Sequence, residues 1–230
     1  MRFWSDDRLR WYQDAASQSD FHQKLADFIR PYLKPSDTVL DLGCGLGYLM
    51  DKLKDEVHAV YGADMDERAL KLLQARQPDI PTYRIDFPEE LPPPADVLIT
   101  MFFGRNLIEH EAFDKLYRRL HIVIRNRSTC TLEVPEQREL NRRTDQDMVA
   151  YARAHGLRYE HHLLDLSFDQ PLRSREDALL FAMNYRPTNN PAHYEDYLAQ
   201  HLKTNPDPAF PFIIRKKKEL GIVIIYKETP

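Results

Sequence analysis

The sequence predicts an α/β fold, a mostly parallel sheet with helices on both faces. Two observations carry that prediction. Short apolar, β-branched runs alternate along the chain with segments of helical period. Three of only seven glycines, Gly43, Gly45 and Gly47, fall within five residues directly after one such run. The 230 residues allow one large domain or two small ones, and the chain reads as one.

Taken in order, residues 5–33 carry the apolar positions Trp11, Ala15, Phe21, Leu25, Phe28, Ile29 and Leu33. From Phe21 onward these repeat as on an amphipathic helix, which Ser19 or Asp20 would cap. After the Pro35-Ser36-Asp37 turn, Val39 to Leu42 reads as a short buried strand. Tyr48 to Leu53 then has helical spacing, so the three glycines sit at a strand-to-helix turn. A turn of this kind lets backbone approach a ligand, and the helix start offers free N–H groups.

A second strand runs from His58 to Ala63 and ends at Asp64, 21 residues after Gly43. That separation is close to the roughly 20 residues expected of a ribose-binding carboxylate. Asp66 opens the next helix and suits an N-cap. Pro81 to Asp86 reads as a third strand, and Ala95 to Met101, after Pro92-Pro93-Pro94, as a fourth.

Beyond it, Glu111 to Leu120 reads as a helix and Cys130 to Val134 as a fifth strand. Asp145 to His155 is predicted as a helix ended by Gly156, and Leu157 to Phe168 as a sixth strand. Ser174 to Ala178 opens another helix, and Glu195 to Leu202 is a further short one. Gly221 to Tyr226 is wholly apolar apart from its ends and reads as a central last strand, which Phe212-Ile213-Ile214 would extend or pair beside.

Composition narrows the function. The net charge is −4, so no whole-surface attraction for nucleic acid is expected. The run Arg215-Lys216-Lys217-Lys218 reads as a solvated strand end. No apolar run reaches the ~18 residues of a membrane span. The opening MRFWSDDRLRWYQD has no apolar stretch of a secretory signal. Two cysteines, Cys44 and Cys130, cannot build a disulfide framework or a four-cysteine zinc site, so a cytoplasmic protein is expected.

The glycine turn separates cofactor classes. A dinucleotide fingerprint needs a glycine where Tyr48 stands, and no Gly-Lys-Ser/Thr follows for a P-loop. The string Asp41-Leu42-Gly43-Cys44-Gly45-Leu46-Gly47 instead resembles motif I of the class I S-adenosylmethionine-dependent methyltransferases. The resemblance implies a Rossmann-like sheet of seven strands, the last antiparallel and inserted between the fifth and sixth. It implies that Asp41, Gly43, Cys44 and Gly45 contact S-adenosyl-L-methionine, the product being S-adenosyl-L-homocysteine. Asp64 would take the ribose and Met65 pack on adenine. Asp86 would bond the adenine amino group while Phe87 packs the ring. Met101 and Phe102, at the motif IV position, would face the methionine part of the cofactor.

The text at motif IV, Thr100-Met101-Phe102-Phe103-Gly104-Arg105-Asn106, lacks the Asn/Asp-Pro-Pro-aromatic tetrapeptide used on planar amino groups. It also lacks an acidic metal set, and no metal is expected. In the same family an N-terminal helix often covers the cofactor. Residues 1–34 are therefore read as a helical cover, with Trp11, Tyr12, Phe21 and His22 as its lining, and 169–210 as a helical lid insertion.

The sulfonium carries the activated methyl group, so the protein needs chiefly to bind, orient and desolvate. No catalytic residue is compelled. His110 is a weak candidate base, with His22, Glu109 and Tyr185 behind it. His161 and His162, adjacent on one strand, should face opposite ways and not share a metal. The expected function is methyl transfer to a small-molecule acceptor, with neither membrane nor nucleic acid as partner and the oligomeric state open. The alternatives are a cofactor-binding, non-catalytic regulatory protein of the same fold, or a protein or RNA methyltransferase.

Overall fold

The computed structural model describes residues 4–104, 111–127, 144–185, 190 and 192–227. The first elements are α1 (Asp6–Ser17), α2 (Phe21–Ile29), β1 (Thr38–Leu42), α3 (Met50–Leu53), β2 (Ala59–Asp64) and α4 (Glu67–Arg76). Next come β3 (Thr82–Arg84), β4 (Ala95–Met101), β5 (Tyr117–Asn126), α5 (Asp145–Ala154), β6 (Arg158–Ser167) and β7 (Gln170–Leu172). The chain closes with α6 (Arg175–Tyr185), α7 (Ala192–His201), β8 (Leu202–Thr204), β9 (Phe212–Ile214) and β10 (Lys217–Tyr226). Two compact units emerge. The larger takes its described residues from 22–129, 141–164 and 219–230, the smaller from 1–21 and 165–218.

Seven strands form one sheet in the order β3-β2-β1-β4-β5-β10-β6. β1 runs parallel to β2 on one side and to β4 on the other, and β5 continues parallel to β4. β10 alone is shown antiparallel to its neighbour, pairing Val223 with Val123 of β5. This is the Rossmann-like sheet, its last strand antiparallel between the fifth and sixth. The order also creates a switch point. The chain winds outward from β1 through β2 to β3, then returns to β4 on the other side of β1. The carboxyl ends of β1 and β4 flank this switch point, the place where ligands of such sheets bind.

Apolar side chains pack against the sheet in two clusters. Leu40, Leu42 and Leu98 pack with Phe87, Phe113 and Leu116. Val123 and Val223 pack with Met148 and Val149 of α5. Thr144 caps α5 in a reciprocal box with Asp147. Asp145 follows, 1% exposed, its Oδ2 2.7 Å from His161 Nε2 on β6. His162 points the other way, to Tyr32 and Glu160, so the adjacent histidines do face opposite sides.

The smaller unit has its own core. Trp11 is fully buried edge-on against Phe181, with Leu172, Ala178, Tyr194 and Ile214 around it. Its Nε1 donates to Asp177 Oδ1 at 2.9 Å, and Arg10 grips the same carboxylate at 2.6 and 3.3 Å. Trp11 is thus a core residue of this unit. Tyr12 and Phe21 both set their rings against Phe168.

Three readings of the sequence change. The helix expected over 111–120 is a single 3-10 turn, Phe113–Lys115, followed by β5. Phe113, Leu116 and Leu120 mimic a helical stripe, but the run Ile122-Val123-Ile124 is β-branched and favours the strand. Phe212–Ile214 neither extends nor flanks the last strand of the large sheet. It is the middle strand of a separate three-stranded sheet, β7-β9-β8. Leu202 begins β8 instead of ending α7. The strand expected at 130–134 lies outside the described residues.

Gly221 of β10 lies against the Asp145 carboxylate, and a Cβ there would overlap it. Gly221→Ala should therefore lower stability by about 1–3 kcal/mol in urea denaturation, as overpacking does. Adding Asp145→Ala should recover part of that loss. Strictly additive effects would show that the two residues do not compete for this space.

Candidate active site

The site is built where β1 and β2 end together. Leu42 is in register with Ala63, so the chain leaves both strands at the same height. The Ala63 carbonyl accepts the N–H groups of Gly43 at 2.7 Å and Cys44 at 3.1 Å. Making both bonds puts Gly43 at φ +77°, in the region that glycine tolerates best. The bare Cα of Gly43 also admits the Phe103 ring, which a Cβ would overlap. The glycine expected to receive a ligand thus first receives a side chain from the end of β4.

Asp64 is anchored by backbone. Its Oδ2 accepts from Gly45 N–H and its Oδ1 from Asp66 N–H, both at 2.9 Å. Each oxygen keeps a further lone pair. Asp66 caps α4, accepting from the N–H groups of Arg68 and Ala69. The Met65 side chain next to Asp64 is 64% exposed, a large apolar surface left in water. Asp86 is exposed beyond β3. Phe87 is buried against Phe113 and Phe103. Met101 ends β4, and Phe102 just after it holds φ +57°, unusual for a bulky residue.

Asp41 is the electrostatic anomaly. It is 2% exposed, and its Oδ1 has no hydrogen-bond partner. Burial, then the Asp64 charge, push its carboxyl up to about 7. Burial also raises Asp64, against the pull of its backbone donors. The Cys44 thiol is pushed well up, by burial first and then by Asp41 and Asp64, so it is no thiolate nucleophile.

His22 stacks on Tyr48 of the glycine turn, and Arg76 sits 4.2 Å over the same ring. Burial, with Lys52 and Arg76, lowers the His22 imidazole to about 3, which removes it as a base at neutral pH. Tyr185 packs on Phe181 in the smaller unit. His110 and Glu109 lie outside the described residues. Among the described residues, no three His, Cys, Asp or Glu gather as a metal site. The structure thus brings Asp41, Gly43, Cys44, Gly45 and Asp64 into one turn. Met65, Asp86, Phe87, Met101 and Phe102 stand at the ends of the neighbouring strands. The sequence places Phe103 in motif IV beside Phe102 but carries no signal that its ring lies over Gly43.

The family described as "Methyltransferase domain" matches residues 39–127, from β1 through β5. That match spans the strands around the glycine turn, and this part of the chain resembles methyltransferase domains. No curated protein matches it. Among solved structures, the YcgJ protein of Bacillus subtilis is similar over 91% of this chain and all of its own, at 11% identity and TM-score 0.60. The precorrin-6y C5,15-methyltransferase of Geobacter metallireducens covers 89% of each chain at 11% identity and TM-score 0.53. The magnesium protoporphyrin IX methyltransferase of Synechocystis PCC 6803 covers 90% of this chain and 83% of its own, at 15% identity and TM-score 0.52. At such identities the likeness is one of fold.

The methyltransferase cofactor suits what the domain offers. S-adenosylmethionine carries a sulfonium and an ammonium, and the turn holds two acids, one with an unmatched buried oxygen. The spare lone pairs of Asp64 suit hydroxyl donors.

The raised Asp41 carboxyl has a consequence for stability. Below about pH 4 an aspartate is protonated in both the folded and unfolded chain. As pH rises toward 7, the unfolded chain loses that proton while the fold retains it, so stability falls through this window. Asp41→Asn should remove the fall. The variant should match the parent near pH 4 and exceed it at pH 8 by at most about 4 kcal/mol. Chemical denaturation across that range reads the difference, and an Asn variant equally or less stable at pH 8 would contradict the assignment.

Proposed function

We propose that this chain transfers the methyl group of S-adenosyl-L-methionine to a small-molecule acceptor. The observation that carries the reading is the row of acids at three consecutive strand ends. Asp41 belongs to β1, Asp64 ends β2 and Asp86 follows β3, beside the switch point of the sheet. In this reading Asp64 accepts the ribose hydroxyls, and Asp41, Gly43, Cys44 and Gly45 surround the methionine part. Met65 and Phe87 flank the adenine, Asp86 takes its amino group, and Met101 and Phe102 border the transfer region.

When bound, the cofactor supplies an activated methyl group for in-line displacement. The chain's residues hold it, aim it and keep water away. The aromatic end of β4, Phe102 and Phe103, suits that exclusion. Cys44 stays a thiol and burial leaves His22 only weakly basic, so neither takes up a proton readily at neutral pH.

Three considerations favour a small acceptor. The chain is net acidic, at −4. The motif IV text lacks the tetrapeptide used on planar amino groups. Two structural neighbours are named for small molecules, precorrin-6y and magnesium protoporphyrin IX. Among the described residues, no helix is long and apolar enough to cross a membrane. The free thiol of Cys44 suits a reducing compartment, and we place the enzyme in the cytoplasm. We read the segments 1–34 and 169–210 as a helical cover and a helical lid insertion.

Asp64→Ala tests the cofactor assignment. It removes hydrogen bonds to a charged acceptor at ~1.5–3 kcal/mol each, so affinity should drop at least tenfold. Equilibrium dialysis with methyl-labelled cofactor measures this. Unchanged affinity in a folded variant would overturn the ribose role of Asp64.

A further inference from the structure

Asp41 sits in the glycine turn without a partner that would stabilise its charge. It is the fourth residue of the five-residue strand β1, opposite Gly62 of β2 and Ile99 of β4, neither of which brings a polar side chain. Four N–H donors of the turn are committed elsewhere. Gly43 and Cys44 give their N–H groups to Ala63, Gly47 gives its own to Cys44, and Gly45 gives its own to Asp64. The ionisable groups that face Asp41 are the Asp64 carboxylate and the Cys44 thiol, one anionic and one neutral. The Arg76 guanidinium, which reaches the turn from α4, is bound to the Leu46 carbonyl at 2.6 Å and to Asp51 at 2.9 Å. A buried carboxylate in such surroundings is stable in two ways only. It keeps a proton, or it acquires a cation.

We propose that Asp41 is the charge-selecting residue of the cofactor site, holding a proton while no ligand is bound and releasing it to solvent as a cationic ligand arrives. The inference rests on the S-adenosylmethionine reading above and adds what that reading does not contain, an exchange of proton for cofactor. A carboxyl that titrates near 7, raised by burial and by Asp64, can make this exchange at physiological pH. The balance is simple. The O–H bond of Asp41 breaks, the proton goes to buffer, and the carboxylate charge is met by a charge of the ligand. Affinity must then rise with pH up to the carboxyl's own titration and level off above it. Acidification would unload the enzyme without unfolding it.

The test is calorimetric titration of the full chain with S-adenosylmethionine from pH 5.5 to 9, in buffer pairs of different ionisation enthalpy. Asp41→Asn is run alongside, and the difference between the two proteins isolates the proton of Asp41 from any carried by the ligand. The expected result is close to one extra proton released by the parent at pH 6, declining to none by pH 9. Affinity of the parent should strengthen up to tenfold per pH unit below neutrality. The Asn variant should bind more weakly above neutrality, with no comparable pH dependence. Tight binding with equal proton counts in the two proteins would overturn the proposal while leaving the cofactor reading intact. Absence of binding by the folded parent at every pH would overturn both.

A second readout does not need the variant to fold. In the ligand-free parent labelled with 13C at aspartate carboxyls, one buried carboxyl should titrate near neutrality and become ionised at pH 6 when cofactor is added. A full set of aspartates already ionised at pH 6 without ligand would overturn the proposal.

Discussion

The N–H groups of Gly43 and Cys44 converge on one acceptor, the Ala63 carbonyl, and the rest of the site depends on that convergence. It satisfies the last carbonyl but one of β2 with the first donors after β1, so the two strand ends are tied as a unit. The tie forces Gly43 to positive φ and aims Gly45 N–H at Asp64. Asp64 is thereby fixed beside the switch point with lone pairs to spare. Asp41, one residue before the end of β1, is left with neighbours that do not answer its charge. Strand register, glycine spacing and acid placement are thus one arrangement seen at three scales.

The chain treats its acids in two ways. In the smaller unit, Asp177 is met by Arg10, by the Trp11 indole and by the Arg173 backbone, and Asp14 is held by Arg173 at 2.8 and 3.2 Å. In the larger unit, Glu160 is met by Tyr32, Tyr226 and His162, which keep it below the usual range. These acids have been given partners, and removing a partner would leave a charge stranded. Asp41 has been given none. Local rules are broken most readily where function needs a group unsatisfied in the resting protein. The role we propose for Asp41 rests on this contrast within one chain.

Much of this was legible in the sequence because it rests on local signals. The strand-glycine-helix turn, the acid after the second strand and the Asp66 cap each occupy a few contiguous residues, and the sheet follows from repeating them. What was not legible depends on distant partners. Phe113, Leu116 and Leu120 carry a helical spacing, yet Phe113 and Leu116 are buried from one short turn against Phe87 and Leu98, while Leu120 belongs to a strand. Gly221 faces Asp145, and His161 bonds it, across separations that no window of sequence spans. The ring over Gly43 comes from Phe103, at the end of a strand that is neighbour to β1 only in the fold. The lone oxygen of Asp41 is likewise invisible until every donor of the turn has been assigned.

The most direct test of the central claim, that the acid pair at the switch point forms an S-adenosylmethionine site, is calorimetric comparison of three ligands at one pH above neutrality. S-adenosylmethionine and S-adenosylhomocysteine should both bind with micromolar affinity, and NAD should not bind. The acids and the glycine turn are shared needs of the first two ligands, while Tyr48 stands where a dinucleotide fingerprint requires glycine. A folded protein that ignores the first two ligands, or one that takes NAD in their place, would contradict the account.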